Sequence, residues 1–345
     1  MKPVVRNWGG RVIRVTNKMN TGYDIIGDIH GCANTLCVLL ERLGYTAQYH
    51  NGWPVFSHPA RKAIFLGDVV DRGPRIREAL HVVKNMVDAG AGYCVMGNHE
   101  YDALGYTTRA PEQSPKTWVR EHTPRNNRLI AETLNQFASY PEEWRMFLDW
   151  FQSLPLFLEM PGFRVVHACW DQELIEAYWC KFDSNTVSRD FVRDSALPGS
   201  FEAKFMDRLT RGTDLSLPDG RKIIGKDGLE RGFFRTKFWA DSPETFRDVV
   251  FQPDPLPEDI RQRALSREQK LALVSYSHEQ IPVFIGHYWL EGTPHPLKDN
   301  LACLDYSAVK YGHLASYRFD GEAQLSGDKF MWVTVTQDPI AGHFA

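Results

Sequence analysis

Two acids and an arginine crowd the end of one apolar run in the segment Ile64-Phe65-Leu66-Gly67-Asp68-Val69-Val70-Asp71-Arg72-Gly73-Pro74. The same theme recurs along the chain. Gly27-Asp28-Ile29-His30-Gly31 follows an earlier apolar run, and Gly97-Asn98-His99-Glu100 follows a third. His167 ends a fourth run and Gly286-His287 a fifth. A mixed set of oxygen and imidazole donors suits Mn²⁺, Fe or Zn²⁺. One carboxylate can bridge two such ions. Two ions about 3.5–4 Å apart can clamp the attacking and leaving oxygens of a phosphoryl displacement and lower the pKa of a bound water. A lone Gly-Asp is an ordinary turn, and a lone His is an ordinary core or surface residue. The ordered series of five segments carries the meaning.

Strands must deliver these residues to one place. Residues 23–29 form a strand core ending at Gly27, and Leu36, Leu39, Leu40 and Leu43 then recur at helical spacing until Gly44. Residues 62–68 make a second strand, with Pro74 expected in the first turn of the next helix. That helix presents Ile76, Ala79, Leu80, Val83 and Val87 on one face and stops at Gly90. Residues 92–98 make a third strand. A β-α-β-α-β series predicts parallel strands, whose carboxyl ends converge on one crevice. Residues 102–127, rich in Pro, Thr and Arg, read as a surface excursion, with a helix resuming near Leu129. A helix over 141–154 and a strand over 163–169 follow. Residues 171–280 mix helical patches with turn signals that predict a hairpin-like insert near 215–240. The end is β-rich, at 282–288, 300–307 and 313–319.

The 345 residues suffice for a sizeable core, and 43% apolar with 24% charged content is ordinary for a soluble globular protein. A formal charge of −3 gives no global field to draw nucleic acid or an anionic membrane. The first fifteen residues are too polar for a signal peptide, and no stretch approaches a membrane span. The six cysteines (32, 37, 94, 169, 180, 303) show no CxxC pairing, which predicts reduced, mostly buried thiols and a cytoplasmic setting.

Taken together, GDIHG, GDVVDRG, GNHE and the two later histidines resemble the calcineurin-like metallophosphoesterases, and most closely their phosphoprotein phosphatase branch. The first three motifs fit tightly over residues 24–100; the later histidines fit more loosely. The resemblance implies an α/β fold, a four-layer αββα sandwich of two mixed sheets flanked by helices. It implies a single domain over 20–335, with a lip insertion around 102–128 and a cap-like insertion around 171–280. It implies two divalent ions, Mn²⁺ first, with Fe, Zn²⁺ or Ni²⁺ as alternatives. Asp28 and His30 would hold one ion, Asp68 would bridge, and Asn98, His167 and His287 would complete the other. Many broader relatives read GHxH at the last motif. Here Trp289 stands in place of the second His and cannot coordinate. Asp71 would keep His99 protonated as a donor to the leaving oxygen, and Arg72 and Asn98 would face the phosphate. Attack would come from a hydroxide bridging the metals, with no covalent intermediate. A second phosphate-binding arginine is expected between the last two histidines, Arg235 ahead of Arg231.

The substrate implied is a phosphomonoester, as in Ser/Thr protein phosphatases. The alternatives are a symmetric bis(5'-nucleosyl)-tetraphosphate, a nucleic-acid end, or no reaction at all in a binding scaffold. The partner is therefore a phosphorylated substrate; a membrane and nucleic acid are not expected, and the oligomeric state stays open. Cys169, two residues after His167, reads as a buried inert thiol, and GRKIIGKD (220–227) as a false phosphate loop. Arg109, Lys116, Arg120, Arg125 and Arg128 suggest a basic lip that gathers an anion.

Overall fold

The computed structural model describes residues 22–224, 230–251 and 256–336. The polar amino-terminal segment and residues 225–227 of the 220–227 loop lie outside those residues. Strand Gly22–Ile26 runs inside a six-stranded sheet. It pairs in parallel with Arg61–Phe65, which pairs in parallel with Gly92–Cys94. On its other side it meets His313–Phe319 antiparallel, and that strand carries Asp305–Tyr306 and Phe330–Thr334. Parallel pairing thus holds for the first three expected strands, and the carboxyl-terminal strands make the sheet mixed. A second sheet joins Phe157–Met160 antiparallel to Phe163–Val166, then Val283–Ile285 and Leu301–Cys303 in parallel.

Side-chain alternation explains the layering. Ile25 faces Ile64 in register, and both join Phe163, Val165, Phe284 and Ala302 of the second sheet in one buried cluster. Their neighbours Ile26 and Phe65 point the other way, into a cluster with Leu36, Leu39, Leu40 and Val83 of helices Ala33–Arg42 and Ile76–Asp88. Val166, Val283, Ile285 and Leu301 of the second sheet share that cluster with Tyr178 and Leu209 of helices Gln172–Phe182 and Phe201–Arg211. A period of two therefore builds sheet against sheet inside and helix on each outer face, the four-layer αββα sandwich.

Several local expectations need correction. Pro74 lies outside its helix, because Arg75 is the non-helical cap at φ −137°. The excursion is shorter than expected. Helix Asn98–Thr107 continues directly from the third motif, and helix Pro124–Gln136 opens well before Leu129. Thr123 caps that helix by accepting from the Asn126 N–H, and Pro124 fits its first turn. The hairpin Thr46–His50/Trp53–Ser57 is absent from the sequence expectations, although Asn51-Gly52, both with positive φ, is its turn signal. The insert does contain a hairpin, Thr213–Ser216 against Phe233–Thr236, over an apolar cluster of its own that includes Leu215, Phe234, Phe246, Val249 and Ile260. All six cysteines are free and all but Cys180 are buried.

Candidate metal centre

The strand ends turn sharply, and the chemistry-bearing residues make the turns. His30, Asp68, Asp71, Arg72 and His287 all adopt positive φ, between 42° and 71°. Left-handed backbone at non-glycine residues is costly, and its concentration here marks a site that the surrounding fold forces into shape. Glycine supplies the clearance. A Cβ on Gly97 would lie 2.3 Å from Asp68 Oδ1, and one on Gly286 would lie 2.1 Å from Asp28 Oδ1.

Asp68 sits at the centre. Its Oδ2 lies 3.6 Å from His30 Nε2, 3.5 Å from His167 Nε2 and 3.9 Å from His99 Nε2. Two groups form around it, His30/Asp68/His99 and Asp68/His167/His287, and each could hold a cation. Asn98 joins the second group, its Oδ1 3.3 Å from His167 Nε2. Asp28 stands beside them rather than in either close group. Its carboxylate accepts from the His287 backbone N–H at 3.1 Å. The first close group thus contains His99 where the sequence reading placed Asp28.

Backbone carbonyls fix which nitrogens face inward. His30 Nδ1 donates to Val70 O at 2.8 Å, and His167 Nδ1 donates to Leu66 O at 2.6 Å. A carbonyl only accepts, so each Nδ1 must carry the proton. Each Nε2 then presents a lone pair, the usual way a second set of partners orients a ligating histidine. His287 Nε2 is buried with no hydrogen-bond partner among the described residues. A buried histidine with an orphaned ring nitrogen, grouped with Asp68 and His167, fits a cation site.

The electrostatics agree. Burial, then Asp305, holds Asp28 well above the usual carboxylate range. Burial opposes charge on Asp68 too, but His167, His99 and His30 outweigh it and hold its pKa well down. Burial and the neighbouring cations Arg72 and Arg235 keep His30 and His287 neutral. His167 is the exception. Despite burial, Asp68 and Asp28 raise it to about 10. That proton would sit on Nε2, between the ring and Asp68, where a cation would otherwise stand. The donor set therefore fits divalent cations.

A second line of residues holds the first. His99 Nδ1 lies 2.5 Å from Asp71 Oδ2, and Thr133 Oγ1 donates to Asp71 Oδ1 at 2.5 Å. Burial opposes charge on the His99 ring, but Asp68 and Asp71 prevail and raise its pKa. Glu100, fully buried, has a role that the sequence reading missed. Its two oxygens accept from the backbone N–H groups of Asp68 and Val69 at 2.8 Å, Gly97 at 2.9 Å and Val70 at 3.3 Å. It ties the second motif to the third. Glu100→Ala strands four buried donors, each costing about 1–3 kcal/mol. We expect the thermal midpoint to fall by roughly 5–10 °C. Glu100→Gln keeps one acceptor oxygen and should fall less. Unchanged midpoints by circular dichroism would remove Glu100 from this role.

Three arginines approach the centre. Arg72 Nη1 donates to His30 Nε2 at 2.9 Å. Arg235 is half-buried and has no side-chain hydrogen bond among the described residues. Its charge lowers the pKa of His287. Arg211, which the sequence reading did not single out, also acts on His287 but is bound to Asp102 and Asp207. Arg231 lies in the two-residue strand Glu230–Arg231, close enough to Arg235 to lower its pKa. The lip is less open than its composition suggests. Arg120 pairs with Asp102 at 3.2 Å, and Arg109 lies over the Trp118 ring. Cys169 is fully buried, and burial pushes its thiol pKa far up, as expected of an inert core residue.

A two-sheet sandwich that gathers imidazoles and carboxylates at its strand ends has the architecture of a metallophosphoesterase. The chain belongs to the calcineurin-like phosphoesterase family, whose profile matches residues 23–313. A bis(5'-nucleosyl)-tetraphosphatase PrpE [asymmetrical] of Halalkalibacterium halodurans is 44% identical over 78 residues, 22% of this chain and 30% of that protein. A protein of the same name from Oceanobacillus iheyensis is 30% identical over 181 residues, covering 52% of this chain and 66% of its own length. The chain thus spans about 30% of the first curated relatives it matches. A solved protein serine/threonine phosphatase of Saccharomyces cerevisiae aligns over 94% of this chain and 83% of its own at 16% identity and a TM-score of 0.49. Among the described residues no helix is long and apolar enough to cross a membrane.

Proposed function

We propose that this protein is a metal-dependent hydrolase of phosphate esters, with a phosphomonoester as the favoured substrate. One observation carries the reading: His30 Nε2 and His167 Nε2 lie within 3.6 Å of Asp68 Oδ2, and His287, whose buried Nε2 has no hydrogen-bond partner among the described residues, joins them around that carboxylate. Asp28, His30 and Asp68 would hold one cation, and Asp68, Asn98, His167 and His287 the other. Bound cations would neutralise charge on the transferring group and supply a water that ionises near neutral pH. Arg72 and Arg235 bind the non-bridging phosphate oxygens, and Asn98 faces the same group. Asp71, steadied by Thr133, fixes His99 with a proton on Nδ1 and favours the charged ring. The Nε2 proton then goes to the leaving oxygen. The single domain spans 20–335; within the 171–280 insertion, helices Gln172–Phe182 and Phe201–Arg211 belong to the layer on the second sheet, which leaves the hairpin region with its own apolar cluster as the cap. Six free thiols support a reducing, cytoplasmic setting. Mn²⁺ is the first metal to try.

A second reading, hydrolysis of a dinucleoside tetraphosphate, is favoured by the names of the relatives that match the motif region. Product analysis separates the two. Protein reloaded with Mn²⁺ is offered a phosphothreonine peptide and diadenosine tetraphosphate in one tube. Free phosphate with the dinucleotide intact supports the first reading. ATP with AMP, or ADP alone, supports the second and reports where the chain is cut. Neither product sinks both.

Arg235 is preferred over Arg231 as the second phosphate contact because its guanidinium lies beside His287 and has its donors to spare. Arg235→Ala should raise KM about tenfold, the worth of one charge-assisted contact. Arg231→Ala should change KM less than about twofold. The reverse order would move the assignment to Arg231.

A further inference from the structure

Arg72 has a partner that it must give up. Its side chain has two close neighbours, His30 Nε2 at 2.9 Å and the Trp289 ring, whose centroid lies 4.2 Å from Cζ. His30 Nδ1 is committed to Val70 O, so Nε2 owns one lone pair. That lone pair can accept from Arg72 or bind a cation, but not both. A cation on His30 therefore releases the guanidinium and repels it. What remains beside it, apart from the field of the nearby carboxylates, is the indole.

Trp289 is built to stay in place. It adopts φ 53°, and its backbone N–H donates to the buried Asp305 Oδ2 at 2.9 Å. The Leu290 N–H donates to Asp305 O at 2.8 Å, and Ser307 Oγ donates to Leu290 O at 3.2 Å. Lys310 Nζ lies 3.4 Å from the same ring centroid. These bonds run to residues 305–307 and involve none of the proposed ligand atoms, so the backbone that carries the ring is anchored independently of the cations.

We propose that Trp289 is the positioning residue that holds Arg72 towards the phosphate once His30 has turned to a cation. The proposal rests on the reading of Arg72 as a phosphate contact. An arginine on an indole face gains about 0.5–2 kcal/mol. It also gives up less freedom when the phosphate binds than a loose side chain would.

The test is binding of inorganic phosphate to Mn²⁺-loaded protein by calorimetry, with Mn²⁺ content measured alongside. Trp289→Leu should keep its Mn²⁺ and bind phosphate about tenfold more weakly. With p-nitrophenyl phosphate its KM should rise while kcat changes little. Trp289→Phe retains a ring and should recover most of the loss. In an Arg72→Ala background, Trp289→Leu should add nothing. Undiminished phosphate binding by Trp289→Leu overturns the proposal, as does a full further loss in the Arg72→Ala background. If Trp289→Leu fails to fold, Trp289→Phe decides. Binding tighter than wild type, or as weak as Arg72→Ala, counts against the proposal. Equal phosphate binding by wild type and Arg72→Ala removes the parent reading of Arg72, and the proposal falls with it.

Discussion

Asp68→Asn should leave a folded protein that has lost its metals and at least about a thousandfold of its turnover. Asp68 Oδ2 lies within 3.6 Å of both His30 Nε2 and His167 Nε2, so one carboxylate serves both groups. Asn keeps the shape and removes the charge. Its remaining oxygen can still accept from the His99 N–H, which Asp68 Oδ1 does at 2.9 Å. The Asp68 backbone N–H stays on Glu100. The turn should therefore survive, and circular dichroism should match wild type. What fails is neutralisation. Two adjacent divalent ions facing an uncharged amide repel each other with little between them. Elemental analysis should find the wild type with about two metals per chain and the variant with fewer than one. A variant with normal turnover would mean that the catalytic centre lies elsewhere. A variant that keeps its metals but loses activity would mean that Asp68 acts on the substrate rather than between the ions.

The parts of this site that were legible in the sequence are those that local chemistry writes. A glycine beside an acid or histidine at the end of an apolar run needs no knowledge of distant segments. Gly27-Asp28, Gly67-Asp68, Gly97-Asn98 and Gly286-His287 therefore stood out, as did the period-two strands that carry them. The silent parts depend on long-range pairing. Asp305 looks like any acid in a carboxyl-terminal strand until its pairing with Leu314 sets it under the Trp289 backbone. Trp289 could be read only as a missing ligand, since its contact with Arg72 joins segments more than two hundred residues apart. Glu100 was visible within its motif, but its four backbone donors come from two different turns. Arg231 and Arg235 lie four positions apart in one insert, and what separates them, the approach of Arg235 to His287, is a long-range contact. Composition also misled once. The Pro, Thr and Arg content that suggested a long excursion includes Thr123-Pro124, which starts a helix.

His99→Ala should separate metal binding from proton delivery. The ring lies 3.9 Å from Asp68 and 4.7 Å, centroid to centroid, from the His30 ring, so it belongs to the neighbourhood of the metals. Yet its Nδ1 is taken up by the carboxylate of Asp71, where His30 and His167 hold Nδ1 on backbone carbonyls. A carboxylate on Nδ1 favours the charged ring, which has an Nε2 proton to give. Removing it should leave metal content near wild type and cost about 10²–10⁴-fold in kcat on an alkyl phosphate, the usual reach of general acid catalysis. On an aryl phosphate with an activated leaving group the loss should shrink towards tenfold or less, because that oxygen departs without a proton. Asp71→Asn should follow the same pattern more weakly. It keeps the ring in place but withdraws the charge that favours its protonated form. The sign is fixed by the raised pKa. In wild type the acid persists to higher pH than a free imidazole would. In Asp71→Asn the basic limb of the kcat profile should therefore shift to lower pH. Equal losses on both substrates would make His99 a fixture of the pocket instead of its acid. Loss of metal from His99→Ala would move the ring into the ligand set beside His30 and Asp68, where distance alone would already place it.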